Sequence, residues 1–209
     1  MDKIELLKKE IKKYFNHASH DISHVLRVYR LAVRIAEKEN ADMECIKAAA
    51  LLHDIARTDE INGKIECHAE GGAKKAEQIL EKFGYAPEKI RIITDAIRTH
   101  RYKNQLKPKT KVGEILQDAD RLDLLGTMGI ARTFARAGET RSPLHDPGIN
   151  PDKKYRSSIT TAINHFYEKI LKVTPDTFHT RTARSIAKSR YKYTKTFIER
   201  FLKEWDGGL

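Results

Sequence analysis

Two histidines and two aspartates are the side chains best able to do chemistry in this 209-residue sequence: His24, the adjacent His53 and Asp54, and Asp120. Imidazole nitrogen and carboxylate oxygen together suit Mn, Fe, Co, Ni or Zn, and carboxylate also suits Mg. A ligand set of this size leaves room around the ion for water and a substrate oxygen. The four residues therefore predict a metal-dependent hydrolase that binds one divalent ion, with Mn the favoured metal.

His53 and Asp54 follow an apolar run, and on a helix His53 shares a face with Ile46 and Ala49. Its imidazole is expected to point inward, where burial without a partner would be costly. The alternative is an ordinary core histidine, and the same dipeptide recurs at His145–Asp146 in a Gly/Pro-rich loop. In the metal-site interpretation, Asp54 both holds the ion and orients the nucleophile.

His24 lies near the start of a predicted helix, and Arg27 lies one turn further along it. A metal ligand and a guanidinium directed at phosphate would then share a helix face, and Arg27 is our candidate for contacting substrate phosphate. His20 could also reach the site. The alternative is that His24 is a helix-start histidine with no special role.

Three carboxylates occur in the largely apolar segment ILQDADRLDLL: Asp118, Asp120 and Asp123. Asp120 and Asp123 share a helix face, whereas Asp118 is rotated away from Asp120 by about 160°. We assign Asp120 to the metal and expect Asp123 to hold a ligand or Arg121 in orientation. Asp118 is the alternative ligand.

Helical periodicity extends over nearly the whole chain and predicts an all-α fold. The predicted helices cover residues 3–15, 22–39, a segment from the Asp42 cap through Ala56, 68–83, 87–100, 111–124, 127–137, 152–172 and 176–205, the last with Thr174 as its cap. Gly138–Pro151 is predicted as a loop that could form a lid. We expect residues 1–209 to form a single domain, with the basic helices at about 152–205 packing on the core.

The chain is strongly basic: 40 Lys and Arg against 29 Asp and Glu give a formal charge of +11. From Pro151 onward there are 13 basic and 6 acidic residues, so +7 of this excess lies in the C-terminal part. Such a charge favours anionic partners, with small phosphates or nucleotides preferred over nucleic acid, because no zinc finger or aromatic stacking platform accompanies it.

No apolar run approaches the roughly 20 residues that a membrane span needs, so no membrane partner is predicted. The first 15 residues form a charged amphipathic pattern rather than a signal peptide. Cys45 and Cys67 are far apart in sequence, and we expect a reducing cytoplasm. The oligomeric state is open, with a homodimer as one alternative.

The order His24, then His53–Asp54, then Asp120 resembles the H…HD…D signature of the HD-domain phosphohydrolase superfamily. The blocks HVLRV, LLHDIA, DADRLDLLGTMGIART and NHFYEKIL resemble its small single-domain branch over roughly residues 15–205. The resemblance implies a compact helical bundle with a divalent ion between core helices, held by these four residues. It also implies hydrolysis of phosphate esters or anhydrides.

Some members of this branch resemble nucleoside triphosphate pyrophosphohydrolases, and this is our leading hypothesis for the activity. The alternatives are a nucleoside monophosphate phosphatase and a hydrolase of alarmones or cyclic nucleotides. The non-enzymatic alternative is a basic nucleic-acid-binding or scaffold protein.

His68 and His100 resemble positions that complete a second metal site in the cyclic-di-GMP phosphodiesterase branch. The Gly-Tyr-Pro stretch of that branch is absent after His100. The alternative is that each histidine lies at a helix end without binding metal, and we therefore predict one ion.

Overall fold

The structure, a computed structural model, describes residues 2–15, 22–153, 155 and 159–208. These residues form α-helices and connecting segments without any β-strand, which confirms the all-α prediction. The α-helices are α1 Lys3–Ile11, α2 Ile22–Glu39, α3 Met43–Leu52, α4 Arg57–Ile61, α5 His68–Lys82, α6 Pro87–Thr99, α7 Lys111–Leu122, α8 Gly126–Glu139, α9 Ala162–Glu168 and α10 Arg181–Trp205. Short 3-10 turns lie at Tyr102–Asn104, Ile170–Lys172 and Pro175–Thr177.

The chain divides into two compact units between Asp120 and Arg121. The first unit contains α1 to α6 and most of α7, and the second contains α8 to α10. The prediction of a single domain with the C-terminal helices packed on the core stays a prediction. No helix in the described part of the chain is both long and apolar enough to cross a membrane.

Helix α3 is the centre of the first unit, where it contacts α1, α2 and α6. Its residues Ala48–Leu52 are all fully buried, and the small alanines allow neighbouring helices to approach closely. Asp42 caps the helix as predicted, because its carboxylate accepts a hydrogen bond from the backbone N–H of Cys45 at 3.0 Å. Packing in the core thus fixes the position of the C-terminal end of α3 and of His53, the residue that follows it.

The predicted continuation of α3 through Ala56 is wrong, because the helix ends at Leu52 and residues 53–56 form turns. The N–H of Ile55 bonds to the carbonyl of Leu52, and the N–H of Arg57 bonds to that of Asp54, so tighter three-residue bonds replace the helical pattern. A five-residue helix, α4, follows at once and was not predicted.

Helices α5 and α6 form a hairpin joined by four residues, Phe83–Ala86. Gly84 has φ +68°, in the left-handed region that favours glycine, and Pro87 begins α6, as the sequence predicts. A connection this short makes the helices antiparallel neighbours. The start of α5 and the end of α6 therefore lie at the same end of the hairpin.

The predicted helix 152–172 is wrong over its first half. Helix α9 begins only at Ala162, where the Thr161 hydroxyl accepts a hydrogen bond from the N–H of Asn164 at 2.9 Å. Upstream, the N–H of Asp152 donates to the buried Glu168 carboxylate at 3.0 Å, a contact that fixes the described segment in a non-helical path. The last helix likewise begins later than predicted, because Phe178 is extended and buried before it.

Thr180, not Thr174, caps α10. Its hydroxyl accepts a hydrogen bond from the N–H of Ala183 at 3.2 Å, whereas Thr174 makes no such capping bond. We expect Thr180→Val, which keeps the side-chain volume but removes the hydroxyl, to lower the free energy of unfolding by about 1 kcal/mol in urea titrations. The matched variant Thr174→Val should lose clearly less, and equal losses in the two variants would contradict this assignment.

Candidate metal centre

His53 and Asp54 occupy the turn that ends α3. The His53 side chain is fully buried, as its position on the apolar face predicts, and Asp54 is 9% exposed. The position of both side chains follows from the packing of α3, because the turn begins directly after Leu52.

One group of potential ligand atoms combines His24 from α2, His53, and Asp120 from α7. The Nε2 atom of His24 lies 3.3 Å from Asp120 Oδ1 and 3.4 Å from His53 Nε2. His24 is buried on the inward face of α2, and the Asp120 side chain is 22% exposed. Three donors from three separate elements thus meet at one point.

A second group combines Asp54 with His68, the first residue of α5, and His100, which follows α6. Asp54 Oδ1 lies 3.3 Å from His68 Nε2 and 3.5 Å from His100 Nε2. Asp54 Oδ2 lies 3.8 Å from Nε2 of both His24 and His53. The two oxygens of Asp54 therefore face different groups of imidazoles.

Backbone carbonyls fix the ring nitrogens of two histidines. His53 Nδ1 is 2.9 Å from the carbonyl oxygen of Ala50, and His100 Nδ1 is 2.6 Å from that of Ile97. A carbonyl oxygen only accepts, so each Nδ1 carries a proton, and in the neutral form of each ring Nε2 presents a lone pair. Such an arrangement is the usual one for metal-binding histidine, and the donor set fits a divalent transition metal.

The protonation states also suit metal binding. Burial alone would raise the pKa of Asp54, but the neighbouring His53, His100 and His68 hold it well below its usual range. Burial lowers the pKa of His53 and lowers that of His68 to about 4. Ionised carboxylate and neutral imidazole are the forms that bind metal, so binding at neutral pH requires few protons to leave.

For Asp120 and His100, the effect of burial on the pKa is outweighed by neighbouring side chains. It would raise the pKa of Asp120, yet the His24 imidazole holds that pKa below its ordinary value. It would lower the pKa of His100, yet the hydrogen bond and the charge of Asp54 raise it. The Asp54 carboxylate therefore favours a positive charge on His100 when no ion is bound.

The structure thus brings all four predicted ligands together, and adds His68 and His100 around Asp54. The alternative ligand Asp118 is fully buried and belongs to neither group of ligand atoms in the described part of the chain. His20 lies outside the described residues.

Arg27 and Asp123, which were predicted to assist the metal ligands, contact side chains outside the two ligand groups. The Arg27 guanidinium, on the same helix as His24, donates to the Ser23 hydroxyl at 2.8 Å. Asp123, in the second unit, is buried and pairs with Arg132 at 2.6 Å. Their proposed catalytic roles stay predictions.

The sequence alone does not predict a metal-binding role for His68 and His100. A signal was available, because Gly84 and Pro87 predict a short hairpin connection. The first residue of one helix and the residue after the other then come together, which are the positions of His68 and His100.

Comparison with known proteins identifies the family of this chain. The HD domain family pattern matches residues 21–125. The Bacillus subtilis protein YpgQ is 34% identical over 194 residues, which cover 91% of this chain and 86% of YpgQ. The crystal structure of an HD-superfamily hydrolase from Bacillus thuringiensis is 36% identical with a TM-score of 0.75, covering 98% of this chain and 99% of that one.

The crystal structure of Bacillus subtilis YpgQ in complex with ADP is 30% identical with a TM-score of 0.75, covering 97% of this chain and 94% of that one. The matched residues 21–125 include the four histidines and the two aspartates of the two ligand groups. The resemblance found in the sequence is thereby confirmed, and the chain belongs to the HD domain family.

Proposed function

We propose that this protein is a metal-dependent phosphohydrolase that cleaves nucleoside triphosphates to monophosphate and pyrophosphate. One divalent ion, with Mn favoured, would be held by His24, His53, Asp54 and Asp120. The observation that carries the proposal is the position of Asp54, a buried carboxylate whose two oxygens each lie within 4 Å of two imidazoles. Burying this many ionisable groups together costs free energy, which a bound metal ion would offset.

A divalent ion held at this site would lower the pKa of a bound water and withdraw charge from phosphoryl oxygens. In our proposal Asp54 accepts a hydrogen bond from the attacking water and orients it toward the α-phosphorus. The new bond joins the water oxygen to that phosphorus, and the bond from the phosphorus to the oxygen that bridges it to the β-phosphate breaks. Pyrophosphate leaves with that oxygen, and one proton of the water is released to solvent. Arg27 would offset negative charge on the phosphate oxygens, which becomes more important as the leaving group departs.

Asp123 is proposed to support the site indirectly through the residues it orients. Its described partner is Arg132, while Arg121 Nη1 donates to the Thr177 carbonyl at 3.2 Å. Both contacts would restrict the segment that directly follows Asp120. Asp123 is therefore proposed as a positioning group rather than one that touches substrate.

Two observations support a nucleotide substrate. The similar protein YpgQ has been crystallised with ADP. The chain's charge of +11 also favours an anionic ligand. The alternatives, a monophosphate phosphatase or a hydrolase of alarmones or cyclic nucleotides, use the same donors but release different products.

Metal binding should stabilise the fold through the cluster. At an Mn²⁺ concentration 100-fold above its dissociation constant, the free energy of unfolding should rise by about 2.7 kcal/mol. We expect Asp54→Ala to abolish this gain, measured as a shift in Tm between EDTA-treated and Mn-loaded protein. The control Glu70→Ala removes an exposed carboxylate paired with Arg98 and should keep the full shift. A wild-type protein that gains no stability from any divalent ion would contradict the proposal.

The bond that is cleaved can be identified from products. We expect Mn-loaded protein to release pyrophosphate from nucleoside triphosphates, and Asp54→Ala to release none, with products resolved by chromatography. Orthophosphate from monophosphates would instead indicate a nucleotidase. If Mn-loaded wild type turned over no nucleotide, alarmone or cyclic nucleotide, the enzymatic proposal would be wrong.

Arg27 is expected to act on substrate rather than on metal. Arg27→Ala should lower kcat/KM about 10- to 100-fold, as expected for a lost hydrogen bond between charged groups, while metal affinity is unchanged. Arg30→Ala, which removes an exposed arginine from the same helix, is the matched control and should keep wild-type kinetics. Equal kinetics in the two variants would exclude Arg27 as a phosphate contact.

A further inference from the structure

His68 Nδ1, which faces away from Asp54, contacts two side chains of opposite charge. It lies 2.7 Å from Glu60 Oε2 and 2.8 Å from Arg57 Nη1, and these two atoms are themselves 2.7 Å apart. Glu60 and Arg57 both come from α4, the short helix that follows Asp54. The three atoms form a nearly equilateral triangle at the outer side of the His68 ring.

The two contacts of Nδ1 are chemically exclusive. An arginine N–H can only donate, so its bond requires a lone pair on Nδ1. The Glu60 carboxylate only accepts, so its bond requires a proton on Nδ1. A neutral imidazole has one N–H, and therefore only one of the two contacts can be a hydrogen bond at a time.

The choice determines what the other ring nitrogen offers to Asp54. If Nδ1 donates to Glu60, the lone pair of His68 Nε2 faces the Asp54 group and can bind metal. If Nδ1 accepts from Arg57, Nε2 carries the proton and donates to Asp54 Oδ1, 3.3 Å away. In that second form His68 is not a metal ligand, because its donor atom is blocked by hydrogen.

We propose that Glu60 is a positioning residue that selects the metal-binding tautomer of His68. It does so against Arg57, which can donate to Nδ1, and against Asp54, whose Oδ1 can accept from a protonated Nε2. The inference rests on the proposed function in taking the His/Asp cluster to bind metal, and it goes beyond that function in taking the group of Asp54, His68 and His100 to hold an ion as well. Arg101 braces Glu60 from the other side, with Nη2 2.7 Å from Glu60 Oε1, and so turns Oε2 toward the ring. Glu60 thereby acts on the second group of ligands without touching the ion.

This control by charged side chains applies to His68 alone among the three histidines whose Nδ1 contacts are described above. Backbone carbonyls of Ala50 and Ile97 serve His53 and His100, and no substitution of a side chain removes a carbonyl. A carboxylate partner also makes the imidazole a stronger ligand than a carbonyl does. His68 is therefore the ligand whose affinity the sequence can adjust through a neighbouring residue.

The tautomer can be read directly by long-range ¹H–¹⁵N NMR of metal-free protein at neutral pH. Wild type should show His68 with the proton on Nδ1. Glu60→Ala leaves Arg57 as the partner of Nδ1 among the described contacts and should move the proton to Nε2. Glu70→Ala, which removes an exposed carboxylate from α5, should leave the His68 signals unchanged.

Metal affinity gives the second readout. Glu60→Ala should weaken binding of Mn²⁺ or Zn²⁺ at the group containing His68 about 10- to 100-fold in calorimetric titrations. Adding Arg57→Met should recover part of this loss, because the competing donor is gone. If Glu60 had a purely structural role, Glu60→Ala would lower the free energy of unfolding without changing the His68 tautomer or the metal affinity. The double variant would then be less stable than Glu60→Ala alone.

Two results would overturn the inference: an unchanged His68 tautomer in Glu60→Ala, or metal affinity that Arg57→Met does not restore. If Glu60→Ala fails to fold, Glu60→Gln carries the same test, with a mixed tautomer population and weaker metal binding expected. Neither readout uses a substrate. Failure to hydrolyse nucleotides would therefore contradict the proposed activity but not the role of Glu60. A wild-type protein that binds no metal would contradict both proposals.

Discussion

A carboxylate buried among imidazoles is the interaction on which the rest of the first unit depends. Asp54 is 9% exposed, and its charge would be unfavourable there without partners on both oxygens. Those partners come from four separate parts of the chain, at the start of α2, the end of α3, the start of α5 and the end of α6. Each helix must therefore keep its register and its end point, because a shift of one residue would turn a donor away by about 100°.

The helical framework achieves this with ordinary local signals. Asp42 fixes the start of α3, small alanines let α3 lie close to its neighbours, and the Gly84 turn aligns α5 with α6. None of these residues takes part in the chemistry. They determine where the histidines lie, and backbone carbonyls then determine which nitrogen of His53 and His100 is exposed to a ligand.

The sequence predicts the helices of the first unit other than α4, though not where α3 ends, because helical periodicity indicates them. It also predicts that His24, His53, Asp54 and Asp120 converge, because they match the family pattern. It does not predict the contacts of α4, since a five-residue helix has too few positions to show a period. The late starts of α9 and α10 were also missed. They depend on the bond from Asp152 to Glu168 and on the burial of Phe178, which are tertiary contacts.

In the α5–α6 hairpin, the connecting turn can vary in length, whereas the helices that position His68 and His100 cannot. Its connection at Phe83–Ala86 lies at the opposite end from His68 and His100, about 20 Å away for helices of 13 to 15 residues. Inserted residues or a fluorescent label at this turn would leave the donor atoms in place, whereas a single inserted residue inside either helix would rotate one of them out of reach. Length variation among related chains should therefore concentrate at this turn, and the turn offers an attachment point for a label that leaves the candidate ligand atoms undisturbed.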